Sequence, residues 1–449
     1  MHADTTPATR PGIYRWYVLA VLLLAYISAF VDRTILGLLV EPIKQDLHAS
    51  DVELSLLSGF AFALFYTLLG LPCGWLADRV QRPRLIFFGI LFWSAATAAC
   101  GLARSFVQLF LARVGVGIGE ATLTPATYSL LPDYFRREEL GVATGIYASG
   151  VSIGGGIAML VGGAAVHALQ AKGDILVPLL GLLRPWQSAF VVVGLAGLLV
   201  ALLILTIREP GRSGRTKADA PGFLIVLRWI IEERRAVLPI LFGYSLMVIP
   251  SYALVTWVPA FLMRSHGLGP GETGLAMGLM LLIGGTAGML VGGAASDALG
   301  RRGKPEAPLR VTLFSIIVQA PLFISAMLVA DKSLSLALLA LAIFIISLHG
   351  GLQGATMQMI APAPIRGQAA AVYMLCANLI GLGLGPVMTA LLTEQLLGSP
   401  ARLGEGLAIT ACLTLPPAAL LVTRALGPAR DLIRRLATGE TRAASTPPN

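Results

Sequence analysis

The sequence predicts an all-α membrane protein of twelve transmembrane helices in two pseudo-symmetric six-helix bundles. Three observations carry this. Hydrophobic residues make up 56% of the 449 and charged residues only 13%, more apolar surface than a soluble fold can bury. Apolar runs long enough to cross the hydrocarbon, about 20 residues each, recur a dozen times. A loop sequence after the second run returns, nearly copied, after the eighth.

The runs lie near 16–40, 54–76, 85–103, 106–131, 140–166 and 186–207, then 237–262, 272–296, 310–330, 334–358, 367–393 and 405–426. The first contains Asp32 and Arg33 and lacks a small-residue cleavage site, so it reads as a spanning helix rather than a removable signal. Most of the 33 Lys and Arg fall in loops and tails that share the N-terminal side, which predicts a multi-pass protein of the cell (inner) membrane with both termini cytoplasmic. A basic face beside anionic headgroups accounts for the net charge of +9, and no nucleic-acid partner is expected. Cys73, Cys100, Cys376 and Cys412 sit in or at the ends of apolar runs without a CxxC pair, and read as buried thiols. No metal or cofactor is expected.

Residues 1–207 form the N-terminal bundle. From 208 to 236 Gly, Pro and basic residues replace the apolar pattern, marking a cytoplasmic linker with one amphipathic piece at 223–231 suited to the headgroup layer. Residues 237–426 form the C-terminal bundle, and 427–449 a cytoplasmic tail that ends rich in Ser, Thr and Pro and is expected to be disordered. The halves are parallel repeats: one spacing separates both Gly74 from Gly293 and Asp78 from Asp297, and Gly141, Ala143 and Tyr147 are echoed by Gly367, Ala369 and Tyr373.

Charge inside the apolar runs is concentrated in the N-terminal half. The fourth run carries Arg113-Val-Gly-Val-Gly-Ile-Gly-Glu120, which puts Arg113, Gly117 and Glu120 on one helix face, and the first carries Asp32 and Arg33. Ionisable groups in a bilayer are costly, and these four sum to zero, so they are the candidate proton-coupling and substrate-binding set. A plainer alternative has two ion pairs locking the helices together, but buried pairs stabilise little once desolvation is counted. Burial and a neighbouring guanidinium act oppositely on a carboxyl, so protonation is an available switch. A phosphate or carboxylate headgroup would compete with the acid for its arginine, which suggests exchange of proton for headgroup.

The C-terminal half offers Tyr244, Tyr252, Trp257, His349, Gln353 and Asn378 in an apolar setting, and with Tyr26, Phe60 and Tyr147 most of these complete a possible lining. This asymmetry suits an amphipathic ligand, its head by the charges and its tail against the apolar half and Phe60, Phe62 and Phe65. Ordinary packing is the alternative for these aromatics and for Met277 and Met280, and a structural hydrogen bond for His349. Gly150-Val-Ser152-Ile-Gly154 matches a hydrolase pattern but lies within a continuous apolar run, where close helix packing explains it. Neither Gly115-x-Gly117-x-Gly119 nor Gly381-x-Gly383-x-Gly385 follows a strand, so neither is a nucleotide loop.

With its two copies of the loop at Gly74-x-x-x-Asp78-Arg79-x-x-Arg82 and Gly293-x-x-x-Asp297-x-x-Gly300-Arg301-Arg302, the sequence resembles the major facilitator superfamily over essentially its whole membrane region. Gln81 and Ala298 depart from that signature. The resemblance implies two bundles about a central cavity lined by the first and fourth helices of each half, with the quartet facing it. It also implies gate loops at Gly74, Asp78, Arg79, Arg82, Asp297, Arg301 and Arg302. Asp32-Arg33, Gly117-Ile-Gly-Glu120-Ala and Pro132-Asp-Tyr-Phe resemble the Spinster branch, whose members export lysolipids and sphingoid phosphates; relatives that import organic anions share the Asp-Arg pair and the fourth-helix Glu. The expectation is a monomeric proton-coupled transporter, not an enzyme, that exports an anionic amphiphile. An organic-anion symporter or drug/proton antiporter of the same fold is the first rival, a polytopic membrane enzyme the second and a sensor the third.

Overall fold

A computed structural model describes residues 12–77, 79–178, 181–210 and 223–438. Among these, twelve helices are long and apolar enough to cross a membrane: Gly12–Leu47, Asp51–Gly70, Arg82–Cys100, Phe106–Tyr134, Val142–Lys172, Pro185–Ile204, Arg234–His266, Pro270–Arg301, Ala307–Leu328, Lys332–Ile360, Ala363–Leu396 and Pro400–Thr438. They are called here the first to twelfth spans.

Local chemistry sets several starts. Ser50 opens the second span with a capping box, accepting from the Glu53 amide while Glu53 accepts from the Ser50 amide at 2.8 Å. Ser105 caps the fourth span and Asp331 the tenth, and Pro185 stands in the first turn of the sixth. Several helices outrun their apolar stretches. Hydropathy marks only the length in contact with lipid, whereas a helix continues while its backbone bonds are met. Thus the twelfth span runs on through Arg430, Arg434 and Arg435 to Thr438, into the segment read as tail, and 439–449 lie outside the described residues.

π-helical turns interrupt three spans at Leu56–Phe60, Met280–Gly285 and Ala377–Leu382, the last beside the expected glycine-rich point at Gly381. The amphipathic linker piece is a helix, Phe223–Glu232, that buries Val226 and Trp229 and exposes Ile225, Leu227 and Ile231. One element departs from the all-helical expectation. Between the fifth and sixth spans, strand β1 (Ile175–Val177) pairs antiparallel with β2 (Gly181–Leu183). Its cross-strand partners Leu176 and Leu182 are both exposed.

The chain forms two compact units. The first is Met1–Thr216 with Val255–Leu282, and the second Lys217–Leu254 with Ile283–Asn449. The division therefore cuts through the seventh and eighth spans instead of following the linker. Close backbone approach explains why Val255–Leu282 sides with the first unit: a Cβ on Gly37 would lie 3.0 Å from the Val255 carbonyl oxygen, and one on Gly163 only 2.7 Å from the Gly274 Cα. In the second unit Val311, Ile345 and Leu348 form a buried cluster under Phe344 and Leu352.

Candidate functional site: a charged knot on the first and fourth spans

The glycines of the fourth span decide how the charges are held. A Cβ on Gly117 would lie 2.9 Å from the Phe62 carbonyl oxygen of the second span, and one on Gly119 would lie 2.7 Å from the Trp93 Cβ of the third. Only glycine lets both neighbours press against the turn that carries Glu120. The result is near-complete burial: Asp32, Arg113 and Glu120 are each 1% exposed.

Only one of the two acids finds a base. Arg33 Nε donates to Glu120 Oε2 at 2.6 Å, with the Glu120 side chain sealed and that of Arg33 21% exposed. Arg113 instead donates from Nη1 to the backbone carbonyl of Asp32 at 3.0 Å. Both carboxylate oxygens of Asp32, with Glu120 Oε1 and Arg113 Nε, are buried without a hydrogen-bond partner among the described residues. Of the two ion pairs that the charges allow, only that of Glu120 forms among the described residues: Arg113 reaches the backbone of Asp32 and not its side chain.

Three rings enclose the Arg33 guanidinium, with its carbon 4.5 Å from the Phe62 centroid, 4.6 Å from that of Tyr66 and 5.1 Å from that of Phe30. Among the described residues Glu120 is its one hydrogen-bond partner, so neither terminal nitrogen is engaged. Beside this cage Tyr26 stacks on Tyr147 at 4.6 Å, and the Tyr147 hydroxyl is buried without a hydrogen-bond partner among the described residues. Phe60 is exposed on the second span's π-helical turn.

The remaining candidates are distributed over both units. Trp257 is fully buried in the first, under Arg264 at 5.9 Å. In the second, the Tyr244 hydroxyl donates to Thr356 Oγ1 at 3.1 Å and Tyr252 to Asn378 Oδ1 at 3.2 Å. His349 Nδ1 lies 2.9 Å from Ser315 Oγ, and Ser315 also donates to the Ile345 carbonyl. Gln353 is half-buried. Of the loop residues, Arg82 is held inside the first unit, where it joins Asp133 at 2.5 Å, Glu209 at 2.7 Å and the Ser129 carbonyl at 2.7 Å. Arg79 lies over Trp75, Gly74 is near Pro125, and Asp297, Arg301 and Arg302 are exposed; Asp78 lies outside the described residues.

Two sets of residues were not singled out from the sequence. Trp93 and Thr97 of the third span face the Asp32 carboxylate, with Trp93 Nε1 and Thr97 Oγ1 both buried and without a hydrogen-bond partner among the described residues. At one end of the first unit, Arg264 donates to Glu41 at 2.6 Å and with two nitrogens to Asp51 at 2.6 and 2.9 Å, while Lys44 reaches Asp51 at 2.6 Å. A signal for this clamp exists in the sequence: acids at 41, 46, 51 and 53 crowd the first loop, and Arg264 ends an apolar run.

Twelve spans with buried ionisable groups on the first and fourth define a membrane transporter. Residues 22–386 match the Major Facilitator Superfamily, to which the chain belongs. It is 28% identical over 399 residues to an MFS-type efflux pump of Mycolicibacterium smegmatis, covering 88% of each chain. It is likewise 28% identical over 330 residues to a probable L-galactonate transporter of Escherichia coli, covering 70% of this chain and 68% of the relative. Among solved structures, a bacterial homolog to the human lysosomal transporter Spinster, inward-facing and unoccupied, is similar with a TM-score of 0.77 and 28% identity, covering 97% of this chain and 100% of that one. The chain is a Spinster-like transporter and not an enzyme.

Proposed function

We propose that this transporter moves an anionic amphiphile, of the lysophospholipid or sphingoid-phosphate type, across the cell membrane by proton-coupled alternating access. The observation that carries this is the Arg33 guanidinium, held through Nε by a sealed Glu120 and ringed by aromatics, with both terminal nitrogens unengaged among the described residues. A guanidinium so presented suits a phosphate or carboxylate in a two-pronged grip, and the surrounding rings suit the first methylenes of a tail.

The pair also suggests the sense of the coupling. An oxyanion that takes Arg33 leaves Glu120 without its counter-charge in a site of low polarity, where a proton is the available replacement. When Glu120 gives that proton up, Arg33 returns to it and the headgroup is released. Headgroup and proton thus bind in the same state and travel together, rather than in exchange as the bare charge pattern suggested. Uptake follows where the proton gradient points inward, and export where the donor compartment is the more acidic. The excess of basic residues on one side supports cytoplasmic termini.

A second reading, transport of a sugar acid, is favoured by the similarity to the L-galactonate transporter, since the same guanidinium would hold a carboxylate. Proteoliposomes with an imposed pH gradient separate the two. Labelled lysophospholipid should move with protons, L-galactonate should not compete, and Glu120→Gln should remove the response to the gradient. Transport of L-galactonate with no movement of lysolipid would reverse the assignment of cargo, and a Glu120→Gln protein that still follows the gradient removes the coupling role of the pair.

A further inference from the structure

The charged knot contains a carboxylate that the Arg33–Glu120 pair does not use. Asp32 is buried, neither of its carboxylate oxygens has a hydrogen-bond partner among the described residues, and Arg113 spends a nitrogen on the Asp32 carbonyl. The third span turns one face toward it. Trp93, Thr97 and Cys100 are spaced four and three residues apart, so they share a face, and all are fully buried.

Two of these side chains carry unpartnered donors in the same place as the two unpartnered acceptors. The indole Nε1 of Trp93 can only donate, and the Thr97 hydroxyl can donate or accept. An unmet polar atom in an apolar interior costs free energy, and donors and acceptors orphaned together are complementary halves of one site. The placement of the donors is fixed from behind: the missing Cβ of Gly119 lets the third span press its Trp93 backbone against the fourth. The charged groups that bear on Asp32 are Glu120 and Arg113 of the fourth span, with Arg33 adjacent on its own.

We infer that Trp93 and Thr97 are positioning residues for Asp32, a pair of donors that receive its carboxylate in the half of the cycle in which its proton has left. This rests on the proton-coupled reading above. A deprotonated carboxyl needs donors, a protonated one brings its own, so the two side chains favour the charged form and set the pH at which Asp32 turns over. They act on the acid and not on the ligand.

The test is the pH profile of lysophospholipid transport by the full-length chain in proteoliposomes. Thr97→Val keeps the shape and removes the hydroxyl, Thr97→Ser keeps the hydroxyl, and Trp93→Phe keeps an aromatic ring and removes the N–H. Removing one donor to a buried charge should move the midpoint toward higher pH by on the order of one unit. Thr97→Ser should restore the parent profile, and the apparent affinity for lysolipid at the optimum should stay within about twofold. Parent-like profiles in both Thr97→Val and Trp93→Phe overturn the proposal, provided Asp32→Asn has lost its pH response. If Asp32→Asn itself keeps the parent response, the coupling reading fails at this acid and the positioning role goes with it. Should Trp93→Phe not fold, the Thr97→Val and Thr97→Ser comparison decides alone.

Discussion

Glu120 and Arg33 are unequal partners, and that inequality is what a mutation would expose. The acid is sealed while the guanidinium is partly open, so an incoming oxyanion meets the base first. Arg33→Lys keeps the charge but loses the planar fork, and should weaken ligand binding by about tenfold or more while leaving the Glu120 pair able to form. Isothermal titration with a lysophospholipid below its micellar concentration would read this; parent-like affinity would mean the guanidinium does not grip the headgroup. All four ionisable residues were legible in the sequence because a charge within an apolar run stands out. Their pairing was not, because it depends on which way two long side chains turn. Trp93 and Thr97 were illegible for a different reason: in a membrane helix neither residue type is unusual, and only the orphaned donors beside Asp32 single them out.

At the level of the helices, the fourth span shows why its glycines are spaced as they are. Gly117 admits the second span and Gly119 the third, so the glycine run is a packing face. Gly119→Val should drive a methyl group into Trp93 and cost about 1–3 kcal/mol, read as a thermal midpoint lower by several degrees in detergent. An unchanged midpoint would mean that the third and fourth spans can separate freely there. Hydropathy located the twelve spans, but it could not see the hairpin at Ile175–Val177 and Gly181–Leu183, whose apolar residues resemble a membrane run too short to cross. It also understated helix length wherever charged turns extend a span beyond the lipid.

For the molecule as a whole, the unexpected element is the clamp at Arg264. Its guanidinium ties the end of the seventh span to Glu41 and Asp51 of the first two spans, and the Asp51 side chain is completely covered. Arg264→Ala takes the guanidinium from that buried carboxylate, whose pair with Lys44 stays in place, and removing one partner of a buried pair costs about 3–5 kcal/mol. The expected outcome is a protein markedly less resistant to heat, with Arg264→Lys intermediate; equal thermal midpoints would show the clamp to be idle. A repeat of six and six helices was readable from the loop signatures, yet the compact units do not respect it. The repeat reports where sequence motifs recur, whereas compactness reports which backbones approach most closely, and Gly37, Gly163 and Gly274 make that choice.

The allegiance of Val255–Leu282 to the first unit bears on how the polypeptide could be assembled from pieces. Of two separately translated fragments divided within 211–222, the first would present Gly156 and Gly163 with nothing to nest against, because Gly274 and Gly278 would arrive on the other fragment. Co-expressed, the fragments should recover each other and copurify in mild detergent, and Gly274→Leu in the second should prevent it.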